Sequence, residues 1–290
     1  MPYNEAKLPL AMHSLQYGTT CFTGIRGYYR EKRILLFRLK DHWQRIVNNV
    51  KIAGIPFTLD WDFFQDTITG LIKLNNPTHD IYIRPFLFAE NEALSPRFDG
   101  LDYQLAVYVM EMGDYYDTTR GMKLITSTWK KNSNASIPSK AKLGGAYVNA
   151  ALATTEAHRL GCDDALMMNE LNEVVEASVA NIAIVYKGEV MMPDIGEEQL
   201  EGITRDTIIS FLKEENIPFR YGPIDRSLVY TCDELLLLGT ASQVIFTYSI
   251  DGRVINPENK PGKICQILRD KFKKVIDEGK SPWLTGVDLI

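Results

Sequence analysis

The sequence predicts an α+β protein whose strands form a mixed sheet or pseudo-barrel, not a doubly wound parallel sheet. Three observations carry this. Helical and strand-like segments alternate irregularly, where a doubly wound sheet needs a regular strand–helix rhythm. The first half sets two helices ahead of β-branched and aromatic runs. A polar stretch of small residues, Trp129 to Ser136, follows a strand near mid-chain and marks a domain junction just before or within it.

The first clear helix covers 39–53. Leu39, Trp43, Ile46, Val50 and Ala53 recur at steps of three and four and form a stripe that must be buried, with Asp41 near the start and Gly54 and Pro56 as stops. A second helix covers 61–74. Residues 81–88 and 104–110 read as strands from their β-branched and aromatic content, and 122–127 is another. Beyond the junction, 147–160 is helical with Gly161 as its stop, and 165–168 is a short strand. Residues 181–186 and 189–192 make a hairpin about Lys187-Gly188. A helix over 203–215 puts Ile208, Phe211 and Leu212 on one face, and 264–276 is the last long one.

Composition narrows the function. The 290 residues are 45% hydrophobic and 24% charged, enough apolar surface for a sizeable core, which excludes a disordered chain. With 32 basic against 37 acidic side chains the net charge is −5, and no basic cluster stands ready to displace phosphate counterions, so nucleic acid is not an expected partner. No apolar run approaches the roughly 20 residues that cross a bilayer, and the first residues lack a signal-peptide pattern; the reading is a cytoplasmic chain without membrane contact. Cys21, Cys162, Cys232 and Cys265 are scattered, which points to reduced, mostly buried thiols. His13, His42, His79 and His158 never pair at metal-ligand spacing, and neither GxSxG nor GxxxxGK[ST] occurs, so no metal site is expected.

What remains is a set of anion-sized loops and a few ionisable residues. Gly202-Ile203-Thr204 opens a helix, and Gly239-Thr240-Ala241-Ser242 follows an apolar strand. Unpaired N–H groups at a helix start beside a threonine hydroxyl suit a phosphate, although ordinary capping and an ordinary turn explain each loop taken alone. Lys140 and Lys142 lie two apart on an extended stretch, so one points in if the other points out. An inward lysine suits Schiff-base chemistry with an aldehyde; two solvated lysines are the plainer alternative. Glu176 follows an apolar pair and reads either as a working carboxylate or as an exposed strand-end charge.

The order of these segments resembles the branched-chain amino-acid aminotransferases, which belong to the class IV, fold type IV group of pyridoxal-phosphate enzymes. The resemblance runs over nearly the whole chain. It is carried by 15–19 (LQYGT) with 22–28 (FTGIRGY), by Phe37-Arg38 with His42-Trp43-Gln44-Arg45, and by Tyr82-Ile83-Arg84-Pro85. It continues through 137–147 (IPSKAKLGGAY), 176–182 (EASVANI), 202–206 (GITRD) and Gly239-Thr240-Ala241. It implies two domains, a smaller α+β one at 1–118 and a larger pseudo-barrel at 129–290 with a connection at 119–128. By that resemblance Lys142 would be the lysine that binds the cofactor's aldehyde covalently, with Lys140 its outward neighbour. Glu176 would face the pyridine nitrogen, Arg45, Ile203, Thr204 and Thr240 would cup the phosphate, and Tyr147 would reach the phenolic oxygen or its neighbourhood. Tyr17, Phe22, Gly24, Tyr82, Met112 and Tyr115 match the substrate pocket, Arg84 and Arg26 its cationic end, and Thr240-Ala241 the site of the α-carboxylate. Thr23 stands where the family commonly has an acidic residue.

The implied activity is transamination of leucine, isoleucine and valine with 2-oxoglutarate, by a homodimer or higher homo-oligomer whose pocket is completed across the interface. Alternatives of the same fold are a D-amino-acid or (R)-amine aminotransferase and an aminodeoxychorismate lyase. A non-catalytic binding protein is the alternative of another class, and retention of Lys142 and Glu176 argues against it.

Overall fold

The structure, a computed structural model, describes residues 1–194, 196 and 198–290. Two compact units are present. The first joins Met1–Gly113 to Ala141–Tyr147 and Ile276–Ile290, and the second joins Asp114–Lys140 to Val148–Val275. No single cut in the sequence separates them. Lys142, expected in the C-terminal domain, folds with the first unit because Leu143 makes a backbone bridge to Cys21. The last strand, Leu284–Asp288, does so because it pairs along Arg33–Phe37.

The first unit is a six-stranded sheet in the order Cys21–Phe22, Ile81–Ala89, Ile25–Arg30, Arg33–Phe37, Leu284–Asp288, with Tyr103–Glu111 also on Ile81–Ala89. Ile25–Arg30 and Arg33–Phe37 form a hairpin that sequence reading passes over, because its turn uses Glu31 and Lys32 at φ 49° and 60° instead of the usual Asn-Gly pair. Pro85 sits mid-strand, where a missing N–H ordinarily costs a ladder bond. It lies opposite the break at Thr23-Gly24, between the pairs Phe22↔Phe86 and Ile25↔Ile83, where the neighbouring ladder is interrupted.

Helices Leu39–Ala53 and Trp61–Asn75 complete the first unit. The second is capped by Asp60, whose side chain accepts from Phe63 N at 3.0 Å. In the first, Leu39, Ile46 and Val50 are buried as the stripe predicts, but Trp43 and Ala53 are only half-buried. His42 and Asn49 take the buried positions in their place. Polar groups on a buried helix face need partners: Asn49 finds them at Lys142 and Phe22, and His42 finds one at Thr23.

In the second unit a sheet closes on itself. Val174–Ala177, Asp164–Met168, Met122–Thr126, Gln243–Ile250, Glu234–Gly239 and Asn181–Tyr186 follow one another, and Glu176 pairs back to Asn181. Glu189–Met192 and Phe219–Tyr221 extend from Asn181–Tyr186, and the expected turn at Lys187-Gly188 is present with both φ positive. Met122–Thr126 runs parallel to Asp164–Met168, with helix Tyr147–Arg159 between them in sequence, while most other pairs are antiparallel, so the barrel is mixed as expected. Its core is aliphatic: Leu124, Leu166, Ile182, Ile184, Leu235, Leu237 and Ile245 are all but inaccessible. All four cysteines are free thiols, and burial pushes Cys21, Cys232 and Cys265 up to about 12. Among the described residues no helix is long and apolar enough to cross a membrane.

Candidate active site

In the first unit Lys142 occupies a short loop that is tied down on both sides. Gly145 N donates to Gly18 O at 2.9 Å and Gly144 N to Thr20 O at 2.8 Å. The close backbone approach requires glycine at position 18, where a Cβ would lie 2.8 Å from Gly145 Cα, while a Cβ on Gly144 would meet the Thr20 hydroxyl at 2.0 Å. The Lys142 amine itself rests 5.3 Å from the ring centroids of both Phe22 and Tyr147, which are tilted together at 4.9 Å.

The same Phe22 ring carries Arg84, whose guanidinium lies 4.5 Å from its centroid. Arg84 donates from Nε and Nη2 to the Tyr82 hydroxyl at 3.0 and 2.7 Å, as the shared side of the strand predicts. Burial raises the Tyr82 phenol above its ordinary value, although Arg84 pulls it back, so Tyr82 stays neutral. Gly24 makes room for this hydroxyl: a Cβ there would sit 1.9 Å from it. Among the described residues Arg84 makes no salt bridge.

Arg45 is half-buried on the helix that also presents His42. His42 is 1% exposed and its Nδ1 is hydrogen-bonded to Thr23 Oγ1 at 2.6 Å. Burial, followed by the charges of Arg45, Arg38 and Lys142, holds its pKa well below the usual histidine range. Thr23 is a neutral partner for a neutral imidazole, so the departure from an acidic residue is internally consistent.

In the second unit Glu176 is 5% exposed, not a strand-end charge. Its Oε1 meets Lys131 Nζ at 2.5 Å, and its Oε2 accepts from Asn181 Nδ2 at 3.1 Å and from Leu200 N at 3.4 Å. Glu176 and Asn181 are also the backbone pair that closes the barrel, so the carboxylate stands at the seam. Asn181 Nδ2 reaches Leu200 O at 2.8 Å as well, and its Oδ1 would lie 1.8 Å from any Cβ at position 202, which only glycine avoids.

Gly202 begins the helix Ile203–Glu214 without a side-chain cap, leaving its N-terminus suited to an anion. Ile203 and Thr204 are buried there. Thr240, Ala241 and Ser242 form the loop of the hairpin that pairs Gly239 with Gln243, and Thr240 and Ala241 are half-buried.

The remaining expected residues make contacts of their own. Arg26 is 3% exposed, but its Nη1 donates to Gly113 O at 2.8 Å and its Nη2 lies 3.8 Å from Asp80, so its charge is already engaged. Met112 lines a separate open cavity of about 500 Å³ with Tyr29, His79, Asp80 and Glu111. Tyr17 spends its hydroxyl on Leu94 O at 2.6 Å, and Tyr115 is half exposed against Tyr116. Lys140 is 51% exposed and pairs with Glu201 at 3.2 Å, the outward neighbour of Lys142. Four residues escape sequence reading: Lys131, Asn181, His42 and Asn49. The signal for the last two is present as polar residues seven apart on a helix face that has to be buried.

Each unit carries groups of the kinds that pyridoxal phosphate takes. In the first, an amine beside aromatic rings suits an aldehyde and an arginine suits a phosphate; in the second, a buried carboxylate held by three donors suits a ring nitrogen and a helix start suits a phosphate.

The comparisons agree. The family model for amino-transferase class IV matches residues 20–250. A probable branched-chain-amino-acid aminotransferase of Aquifex aeolicus is 35% identical over 99% of this chain and 94% of its own length. The branched-chain aminotransferase of Thermoproteus uzoniensis, crystallised with norvaline, is 32% identical with a TM-score of 0.93 over 99% of this chain and 96% of that one. The branched-chain amino acid aminotransferase of Thermobaculum terrenum, in its PLP form, is 28% identical with a TM-score of 0.92 over 99% and 95%. With its sheets, its lysine and its carboxylate placed as described, the chain belongs to the class IV aminotransferases, enzymes that work with pyridoxal phosphate.

Proposed function

We propose that this aminotransferase carries the amino group of leucine, isoleucine or valine to 2-oxoglutarate, giving 2-oxo acids and L-glutamate. The observation that carries the reading is the company of Arg84: a cation without a carboxylate partner among the described residues, stacked on the ring that also faces the Lys142 amine. Two kinds of side chain must be accepted in turn. The faces of Phe22 and Tyr82 suit a branched aliphatic chain, whereas the carboxylate of glutamate would cost several kcal/mol to bury without a cation. The names of the relatives support this choice over D-amino acids, (R)-amines or aminodeoxychorismate.

When bound, pyridoxal phosphate supplies an aldehyde for the amino group and a ring that accepts the electrons freed when the substrate's Cα–H bond breaks. Lys142 would hold the aldehyde between turnovers, and its released Nζ would take the Cα proton and deliver it to the carbon that had carried the aldehyde. Glu176, held by Lys131 and Asn181, keeps a proton on the ring nitrogen. Arg45, Thr204, Thr240 and the backbone at Ile203 take the phosphate, Tyr147 the phenolic oxygen, and the backbone at Thr240-Ala241 the α-carboxylate.

The same reading makes the protein a cytoplasmic homo-oligomer. Exposed Trp129, Val148, Leu152 and Val179 on the second unit support association, and sedimentation of the full chain tests it.

Arg84→Gln tests the substrate reading. Losing a charge-assisted contact worth about 1.5–3 kcal/mol raises the KM for 2-oxoglutarate roughly 10- to 100-fold and leaves that for leucine within a few-fold. Parallel changes for both substrates remove Arg84 from the role.

A further inference from the structure

We infer that Asn49 is the positioning residue that fixes the root of Lys142. This side chain is 0% exposed on helix Leu39–Ala53. Its Oδ1 accepts the Lys142 backbone N–H at 2.9 Å, and its Nδ2 donates to Phe22 O at 3.4 Å. Phe22 N in turn donates to Lys142 O at 3.1 Å. The three bonds close a ring that runs from the helix to the strand Cys21–Phe22, to the Lys142 loop and back.

A primary amide is suited to this place, because it accepts and donates at neighbouring atoms of one planar group. A hydroxyl has one atom for both tasks, and an apolar side chain leaves a buried N–H and a buried C=O unpaired. The consequence reaches beyond the loop. Arg45 lies four residues before Asn49, about one helical turn, so the same rod carries the clamp on Lys142 and the arginine proposed for the phosphate. Phe22, the other end of the ring, presents the aromatic face against which the Lys142 amine rests. Asn49 therefore sets where the amine starts from, through the Lys142 backbone.

The inference rests on Lys142 being the amine that takes the aldehyde, and the experiment separates the two. In the full chain without cofactor, amide exchange followed by NMR should show the Lys142 N–H slowed roughly 100-fold or more relative to an unstructured peptide, despite its place in a loop. Asn49→Leu should return that amide to near-unprotected exchange. It should also slow borohydride trapping of pyridoxal phosphate on Lys142, located by peptide mapping, at least about tenfold, with cooperative melting retained. Asn49→Asp keeps an oxygen facing the Lys142 N–H and should retain its protection. An unprotected Lys142 amide in the unaltered chain overturns the inference, whether or not either variant folds. Unchanged trapping in folded Asn49→Leu, or loss of protection in folded Asn49→Asp, does so too. Trapping on a different lysine in the unaltered chain defeats the reading of Lys142 and leaves the clamp standing.

Discussion

Lys142 in the first unit is half-buried and Glu176 in the second is buried, and the two are held by different atoms. Lys142 is fixed through its backbone, by Asn49, Phe22 and the Gly144-Gly145 contacts, while its amine meets two ring faces. Glu176 is fixed through the carboxylate itself, by Lys131, Asn181 and the Leu200 N–H. The difference follows the work each group does. An amine that must form and break a covalent bond has to keep a side chain able to swing, so its root is anchored. A carboxylate that only has to stay charged and aimed is gripped at its oxygens.

The largest expected effect lies on the amine. Lys142→Ala should abolish the near-visible absorbance of the bound cofactor together with transamination, whereas Lys140→Ala, altering an exposed residue paired to Glu201, should leave both nearly intact. Borohydride reduction and peptide mapping check the assignment, and cofactor found on Lys140 would break the contrast at its root.

On the other side of the comparison, the grip on Glu176 is open to a double-mutant cycle. Lys131 is 18% exposed and Glu176 6% at the side chain, so Lys131→Met should leave an uncompensated buried charge and destabilise the empty protein by about 3–5 kcal/mol in denaturant unfolding. Adding Glu176→Gln should restore most of that loss, because the two residues share one interaction. Glu176→Gln by itself should keep the cofactor bound and lose most turnover, since an amide retains the shape without the charge. Additive losses in the cycle would mean that Lys131 acts on something other than Glu176.

Legibility in the sequence divides along the same line. Helices with a clean apolar period, Leu39–Ala53 and Ile203–Glu214, and the hairpin at Lys187-Gly188 are readable because local spacing determines them. The hairpin at Glu31-Lys32 is not, because its turn residues carry no turn signature. Nor is the return of 141–147 and 276–290 to the first unit, which depends on pairings between residues more than a hundred positions apart. Lys142 and Glu176 stand in the sequence as candidates of open meaning and gain roles through the order of motifs. The residues that hold them, Asn49, Lys131 and Asn181, stay hidden because an amide or a lysine says nothing of its partner until the chain has folded.

The smallest expected effect concerns His42, the buried neighbour of the anchored amine. Its neutral form is enforced by burial and by Arg45, Arg38 and Lys142, and its Nε2 has no hydrogen-bond partner among the described residues. In the unfolded chain the same imidazole titrates near pH 6.5, as an ordinary histidine does. Below that pH the unfolded state binds a proton that the folded state refuses, so unfolding gains and stability falls as the pH drops. The slope contributed by this one group approaches about 1.4 kcal/mol per pH unit below about pH 6 and vanishes above about pH 7. His42→Gln, which keeps a polar side chain near Thr23 but cannot titrate, should therefore give a stability curve parallel to the unaltered chain above about pH 7 and flatter below about pH 6. Denaturant unfolding at half-unit steps from about pH 5 to 8 reads the difference. If the two curves stay parallel throughout, the imidazole takes up its proton in the folded protein. The region around Lys142 then tolerates an additional cation, and the backbone-anchored half is electrostatically softer than the gripped carboxylate.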